Sequence, residues 1–321
     1  MITRVATQPG RVVNYMEFVP YITTMDGVYT AKTLYDGYDP EHPETFKTCY
    51  DQRVYDYFLE RGKMTDEPLE SMARAMHDHF VIKGMNELLA RYEKYMVVGV
   101  MGGSAMKRTD PAYRQIALVS KHLTELGSLM VSGGGPGAME ATALGAFLAG
   151  RDDAEIDKSL AILAKAPCYD GEGYMEAAFE VYKNYGRNPD YECLSIPTWL
   201  YGHEPTAPFA SHIAKLFGNC VREDLLLTVA YGGILYSPGS AGTMQEIFQD
   251  AVQNHYLTLG ISSPMVFLGR EFWTQTMPAY TMLKQLSDSG RYKNLLLSIT
   301  DREQVIVDTI TQFQQHCRET L

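Results

Sequence analysis

Three short glycine-rich stretches are the part of the sequence best suited to bind a charged small molecule. They are Gly102-Gly103-Ser104, Gly133-Gly134-Gly135-Pro136-Gly137 and Pro238-Gly239-Ser240-Ala241-Gly242-Thr243. A glycine backbone can approach a phosphate closely because it has no Cβ, and its N–H groups can turn toward the anion. A helix that starts directly after such a loop adds free N–H groups and the positive end of its dipole. Together the loops predict a phosphate or nucleotide site, although a tight turn explains any single loop equally well.

Glu246 follows the last of these loops at the distance of one helical turn from Thr243. When the bond between a sugar and a base breaks, a nearby carboxylate can stabilise the positive charge that builds on the sugar and can orient water. The T-x-x-E spacing of Thr243 and Glu246 also fits a capping box, in which the carboxylate turns back to the helix start. Spacing alone favours the cap, and the two roles can overlap.

Arg222 and His203 are two further candidate side chains. The planar fork of Arg222 can bind a phosphate or orient Glu246, and its alternative is a surface ion pair with a neighbouring carboxylate. His203 lies in a loop, Tyr201-Gly202-His203-Glu204-Pro205, where it can contact a ligand or transfer a proton to a leaving base. An exposed hydrogen-bonded pair with Glu204 is the commoner arrangement for such a histidine.

The alternation of short apolar runs with helical patterns predicts the elements that position these residues. From about Tyr95 onward it indicates parallel strands joined by helices. The predicted strands are Met96–Val100, Ser128–Val131, Cys193–Ile196, Gly233–Tyr236 and Pro264–Leu268. Pro111 opens one helix and Gly127 ends it, while Thr300 and Glu303 suggest a capping box before a final helix. In a parallel sheet the loops after the strands meet at one edge, so the glycine loops are expected to surround one cleft.

Residues 1–94 lack this alternation and are predicted to form an N-terminal extension packed on the domain of residues 95–321. One helix is expected from about Pro68 to Tyr92, with Leu69, Met72, Met76 and Phe80 on its apolar stripe. The predicted fold class is therefore α/β, a Rossmann-like doubly wound parallel sheet with a mainly helical N-terminal extension.

Two common nucleotide motifs fit the sequence poorly. Gly133, Gly135 and Ala138 satisfy G-x-G-x-x-G/A, but the match follows the second predicted strand, and the acidic pair Asp152 and Asp153 lies in a connection between helices. A nicotinamide or flavin cofactor is thus not expected. No G-K-[ST] follows any glycine loop, which argues against a P-loop.

Composition narrows the function further. The chain has 321 residues, 45% of them hydrophobic, and a formal net charge of −11, which disfavours nucleic-acid polymers and anionic membrane surfaces as partners. No apolar run approaches a membrane span and no signal peptide is visible, so a cytoplasmic location is expected. Five scattered cysteines without a C-x-x-C pair, and His77 and His79 on different faces of a helix, predict neither a disulfide framework nor a metal site.

The glycine loops together with Glu140, Arg222 and the motif Pro238-Gly239-Ser240-Ala241-Gly242-Thr243-Met244-Gln245-Glu246 resemble the LOG family, long mislabelled as lysine decarboxylases. The resemblance covers about Tyr95 to the C-terminus, and the extension before Tyr95 is similar to that of longer bacterial nucleotide nucleosidases. The family motif has a second glycine where this chain has Ser240, and members that activate cytokinins have a glutamate at Gln245 and usually a lysine at Glu223. Cytokinin precursors are therefore not the favoured substrates.

The resemblance implies a homodimer that hydrolyses the N-glycosidic bond of a nucleoside 5′-monophosphate to free base and ribose 5-phosphate, without a cofactor or a metal. Glu246 and Arg222 match the catalytic pair. The phosphate-binding set corresponds to Gly103, Ser104, Gly133, Gly134, Gly135, Gly137, Pro238, Gly239, Ser240, Ala241, Gly242 and Thr243, with His203 and Glu140 as additional candidates. The alternative is a nucleotide sensor or carrier without catalysis, since the same loops bind a phosphate whether or not chemistry follows. Amino-acid decarboxylation is disfavoured because no lysine lies in a pattern typical of a pyridoxal phosphate Schiff base.

Overall fold

A computed structural model describes residues 19–320. The extension contributes a 3₁₀ helix (Pro43–Thr48) and three α-helices, which are α1 (Ala31–Leu34), α2 (Tyr50–Glu60) and α3 (Pro68–Leu89). The remaining elements are β1 (Val97–Met101), α4 (Pro111–Glu125), β2 (Leu129–Ser132), α5 (Ala138–Phe147), α6 (Ala154–Leu163), α7 (Tyr174–Tyr185), β3 (Cys193–Ser195), β4 (His212–Ile213), α8 (Asn219–Thr228), β5 (Ile234–Tyr236), α9 (Ala241–Tyr256), β6 (Pro264–Leu268), α10 (Ala279–Asp288), β7 (Leu296–Thr300) and α11 (Glu303–Thr320).

The seven strands form one parallel sheet in the order β4-β3-β2-β1-β5-β6-β7. The chain builds outward from β1 to β4 on one side and then returns to place β5 on the other side of β1. This reversal makes the boundary between β1 and β5 the topological switch point, where a crevice opens at the carboxyl ends of the strands. The predicted Rossmann-like α/β fold class is confirmed.

The central strands are buried on both faces, as helices on both sides of a parallel sheet require. Every residue of β1, β2, β5 and β6 is buried. The helix predicted from Pro111 is α4, which has proline in its first turn, and Gly127 follows its end with a φ of +93°. The five predicted strands all lie within about one residue of an observed strand, and β4 and β7 are additional.

Two details of the helices differ from the sequence prediction. In α3 the predicted stripe is wrong, because Leu69 and Met72 are 52% and 62% exposed while His77 and Val81 are buried. The buried face of α3 also carries Glu70, Arg74 and His77, which make hydrogen bonds within the extension that hydrophobicity alone does not reveal. The final helix is present as α11, but Thr300 belongs to β7 and accepts a hydrogen bond from Arg302 N, so it forms no capping box with Glu303.

The extension shares its core with the α/β domain. Tyr29 pairs with Ile213 of β4 in an antiparallel bridge. Asp51 of α2 accepts hydrogen bonds at 2.7 and 2.8 Å from Lys215 Nζ and one at 2.8 Å from Trp199 Nε1. Both partners are almost fully buried. These contacts fix the segment between β3 and α8, which passes beside the glycine loops.

Candidate functional site

The glycine loops that follow β1 and β5 meet at the switch point. Gly103 N donates to Pro238 O at 3.0 Å, and Ala138 N at the start of α5 donates to Gly103 O at 3.3 Å. A Cβ on Gly102 would collide with the Ser237 hydroxyl, so only glycine permits this close approach. The predicted convergence of loops at one edge of the sheet is therefore observed.

A cavity of about 200 Å³ lies between these loops and is called here the strand-end cavity. Five of the sequence-predicted phosphate-binding residues line it together with the proposed catalytic pair. The full lining consists of Gly102, Gly103, Ser104, Met139, Tyr201, Glu204, Arg222, Glu223, Ser240, Gly242, Thr243 and Glu246.

Helix α9 directs its N-terminus at this cavity. Its N-cap is Ser240, whose side chain makes no capping hydrogen bond. The first intrahelical bond of this end runs from Met244 N to Ser240 O, and the N–H groups of Ala241, Gly242 and Thr243 have no hydrogen-bond partner among residues 19–320. Free N–H groups at the positive end of a helix dipole suit an anion.

Gly242 differs from the other glycines of the site. A Cβ on Gly239 would collide with Thr243, and a Cβ on Gly137, which has a φ of +66°, would collide with Gly103 O. A Cβ on Gly242 would meet no atom within 4 Å, and the residue has no positive φ. The fold therefore does not need glycine at this position. Glycine is in addition about 1 kcal/mol less favourable than alanine inside a helix. A ligand approaching the backbone gives a reason for it.

Glu246 lies in the second turn of α9, so the capping-box alternative is wrong: the helix starts at Ala241, and Thr243 is inside it. The Glu246 side chain is only partly exposed, and desolvation raises the pKa of its carboxyl to about 7, against the opposing effect of Arg222. Glu223 adds to the rise through repulsion. A carboxyl that titrates near neutral pH can change its protonation state during a reaction.

Arg222 is buried, with an exposed fraction of 8%. Its Nε donates to Ile196 O at 2.8 Å and its Nη2 to Gly133 O at 3.2 Å. Burial lowers the pKa of the guanidinium, and Glu246 and then Glu223 oppose this effect. No ion pair within 4.0 Å forms with a carboxylate in the described part of the chain, so the surface ion-pair alternative is wrong and the guanidinium retains donors for a ligand.

The glycine loop after β2 supports residues of the site without lining the cavity. Gly133, Gly134, Gly135 and Gly137 are buried and do not line the strand-end cavity. A Cβ on Gly133 would collide with the Arg222 guanidinium, so this glycine makes room for the arginine. Pro238, Gly239 and Ala241 are likewise absent from the lining, although they shape the loop that presents Ser240 and Gly242.

The two additional candidates of the sequence analysis do not reach the cavity. His203 is exposed and faces a separate groove beside the extension, whereas its neighbour Glu204 lines the cavity. Glu140 is fully buried and accepts hydrogen bonds from Arg108 and from the hydroxyls of Tyr113 and Tyr174. The Glu140 carboxylate thus accepts its hydrogen bonds inside the protein, and these contacts hold α5 in place.

Sequence reasoning missed Glu204 and Glu223 as parts of the cavity lining. Ser104 Oγ donates to Glu204 Oε1 at 2.8 Å, which joins two loops across the cleft. Asn219 and Gln245 donate their side-chain amides to the two oxygens of Glu223 at 2.8 and 2.6 Å. No motif marks Glu204, because its role depends on where an irregular loop folds back.

Within residues 19–320 no group of three or more His, Cys, Asp or Glu side chains is arranged to hold a metal ion. The described helices include none with the length and apolar content needed to cross a bilayer.

Fold and site together define a Rossmann-like α/β protein with a small polar cavity at the switch point of its sheet. No family model and no curated protein matches the chain. Among solved structures, it is similar to a molybdenum cofactor binding protein from the phototrophic bacterium Rippkaea orientalis, with a TM-score of 0.42 and 11% identity over 68% of this chain and 96% of that one. It is also similar to the Moco carrier protein from Chlamydomonas reinhardtii, with a TM-score of 0.38 and 15% identity over 68% of this chain and 98% of that one. Membership of the LOG family stays a prediction from the sequence.

Proposed function

We propose that the protein binds a nucleotide-like ligand in the strand-end cavity through the ligand's phosphate. The observation that carries this proposal is the start of α9, where three free N–H groups meet open space above Gly242. A phosphate there gains hydrogen bonds and a favourable helix dipole. Arg222 contributes the one positive side chain of the cavity lining.

The cavity size limits which part of a ligand is enclosed. At about 200 Å³ it is smaller than the roughly 300–1,000 Å³ typical of sites that bury a whole small molecule. It suits the phosphate and sugar of a nucleotide, and the base then extends toward the open side of the cleft.

Hydrolysis of a nucleoside 5′-monophosphate is the catalytic form of this proposal. Glu246 would stand one helical turn from the phosphate, near the sugar carbon that carries the base. As the C1′–N bond breaks, its ionised carboxylate would stabilise the oxocarbenium-like charge and orient water, whose oxygen bonds to C1′. The base leaves with one proton and ribose 5-phosphate remains. The support for this step is the shared cavity of Glu246 and Arg222 and the raised pKa of Glu246.

Binding without turnover, as in a carrier or sensor, is the second candidate. It is favoured by one feature of the site: His203, the histidine that could protonate a leaving base, lies outside the cavity lining. The free N–H groups of α9 serve this function equally well.

One experiment separates the two candidates. Purified protein is incubated with a panel of purine and pyrimidine nucleoside 5′-monophosphates, and both thermal stabilisation and released base are measured. Release of base that is lost in Glu246→Gln, with binding retained, supports hydrolysis. Stabilisation without base release in long incubations supports the carrier. If no member of the panel stabilises the protein or reacts, the proposal of nucleotide binding is wrong.

A further inference from the structure

Glu204 lines the strand-end cavity, and one of its two carboxylate oxygens has no hydrogen-bond partner in the described part of the chain. Its Oε1 is occupied by the Ser104 hydroxyl at 2.8 Å. Its Oε2 has no hydrogen-bond partner in the described part of the chain, and it lies 3.4 Å from the position that a Cβ on Gly135 would take. The Ser104 contact therefore fixes the carboxylate while one acceptor atom remains available.

The other carboxylates of the lining differ in what they can still accept. Both oxygens of Glu223 are occupied by the amides of Asn219 and Gln245. The Glu246 carboxylate makes no hydrogen bond within residues 19–320, and its position in the second turn of α9 assigns it to the reacting carbon in the proposed function. Glu204 is thus the carboxylate left for a part of the ligand that does not react.

The charges of the cavity lining indicate which part of the ligand Glu204 binds. The lining carries one guanidinium, from Arg222, and three carboxylates, so a phosphate is favoured at the N-terminus of α9 and is repelled by Glu204. An ionised carboxylate accepts hydrogen bonds and cannot donate them. A ligand group beside Glu204 must therefore supply donors, and in a nucleoside 5′-monophosphate the 2′- and 3′-hydroxyls of the sugar do so. Carboxylates bind ribose hydroxyls in the same way in dinucleotide sites.

We propose that Glu204, held by Ser104, binds the 2′-hydroxyl side of the ribose and makes the site selective for ribonucleotides over 2′-deoxyribonucleotides. This inference rests on the proposed function, because it assumes a phosphate at the start of α9. It assigns Glu204 a role in specificity that is separate from the reaction at C1′. A purely structural Glu204, which only joins two loops, would affect both sugars equally.

The test compares two matched pairs of ligands: adenosine 5′-monophosphate with 2′-deoxyadenosine 5′-monophosphate, and ribose 5-phosphate with 2-deoxyribose 5-phosphate. Dissociation constants are measured by calorimetry at constant pH and salt, in the Glu246→Gln background if the wild type turns over. A hydrogen bond to a charged group predicts that the wild type binds the ribo form at least about tenfold more tightly. Glu204→Gln reduces this ratio and Glu204→Ala brings it close to one. The control Glu60→Gln, an exposed glutamate of α2, leaves the ratio unchanged.

Ser104→Ala separates positioning from binding. It keeps the carboxylate but removes the contact that fixes it, so the ratio falls less than in Glu204→Ala. Equal affinity of the wild type for ribo and deoxyribo ligands overturns the inference and leaves the proposed function standing. A ratio that survives in Glu204→Ala overturns it as well. If none of the four ligands binds, the proposed function fails and this inference with it.

Discussion

Gly242 shows how a single residue can serve a ligand at the expense of the fold. Glycine in a helix is costly, and here no neighbour requires it. We predict that Gly242→Ala raises the free energy of unfolding by about 0.5–1 kcal/mol while weakening the binding of nucleoside monophosphates. Chemical denaturation and ligand titration measure the two effects.

The matched control is Gly290→Ala, another glycine with open space around its Cβ position but with a φ of +73°. There the strain of the left-handed conformation lowers stability, and ligand binding is unaffected. If Gly242→Ala bound ligand as tightly as the wild type, the approach of a ligand to this backbone would be refuted.

Glu246 makes stability depend on pH in a direction that can be measured. Its pKa is raised to about 7 in the folded protein, mainly by desolvation, so the unfolded chain gives up this proton first as pH rises. The protonated form of Glu246 therefore stabilises the folded protein at low pH. This contribution is lost as the pH rises from about 4.5 to 7. We predict that the free energy of unfolding of Glu246→Gln, relative to that of the wild type, is about 2 kcal/mol higher at pH 8 than at pH 5.

Urea denaturation at both pH values measures this difference. Asp250, whose pKa burial likewise raises to about 7, adds to the pH dependence of the wild type and is left unchanged in the variant. Glu60→Gln serves as the exposed control. A gain in Glu246→Gln that is the same at pH 5 and pH 8 would contradict the raised pKa.

At the scale of elements, the extension anchors the start of the helix that carries Arg222. The N-cap of α8 is Gly218, which has no side chain to cap with. Asp78 of α3 holds the chain just before the first helical residue, accepting hydrogen bonds from Phe217 N at 3.0 Å and Gly218 N at 2.8 Å. His77 Nδ1, at 2.8 Å, orients the carboxylate. The first turn of the site helix is thus fixed by a residue 140 positions away in sequence.

We predict that Asp78→Ala lowers the free energy of unfolding by about 1–3 kcal/mol, because the N–H groups of Phe217 and Gly218 lose their charged acceptor. Because Arg222 lies in the first turn of α8, the same change weakens ligand binding. The control is Asp66→Ala, an exposed aspartate just before α3. Thermal unfolding and ligand titration report both effects, and an Asp78→Ala protein with unchanged affinity would show that the Asp78 contact does not position the site.

Elements also show how far the sequence could predict the fold. The five predicted strands were clear because buried parallel strands are continuous apolar runs bounded by loops. Strand β4 has two residues, His212–Ile213, too few for any pattern, and it exists because β3 and Tyr29 pair with it. Strand β7 begins with an exposed Leu296 and therefore lacks the fully buried apolar run that predicts the central strands. Glu246 and Arg222 could be found by motif, whereas Glu204 and Asp78 act through contacts between distant loops.

At the scale of the whole molecule, a buried ion pair joins the extension to the α/β domain. Asp51 and Lys215 are 164 residues apart in sequence and pair at 2.7 Å with almost no exposure. We predict that Asp51→Ala lowers the free energy of unfolding by about 3–5 kcal/mol, since it leaves a buried lysine without its partner. Trp199 Nε1 loses its acceptor in the same variant.

Equilibrium unfolding measures this loss, and an exposed pair of nearly the same length is the control. Lys83 and Glu87 pair at 2.8 Å on the surface of α3, where solvent screens the interaction, so Glu87→Ala leaves stability almost unchanged. Similar losses in the two variants would mean that the junction between extension and domain is not buried as described. The boundary near residue 95 stays a prediction as a domain limit, because the core is continuous across it.

The bridge between Tyr29 and Ile213 has a consequence for how the protein behaves when it is damaged. Tyr29 N donates to Ile213 O at 3.0 Å and Ile213 N to Tyr29 O at 2.8 Å, so the extension occupies the outer hydrogen-bonding side of β4 at this residue. Unpaired edge strands recruit strands from other molecules and so promote aggregation. Cleavage of the chain before β1 would uncover this edge together with the apolar residues beneath it. Proteolytic loss of the extension is thus expected to yield insoluble assemblies instead of a smaller active domain.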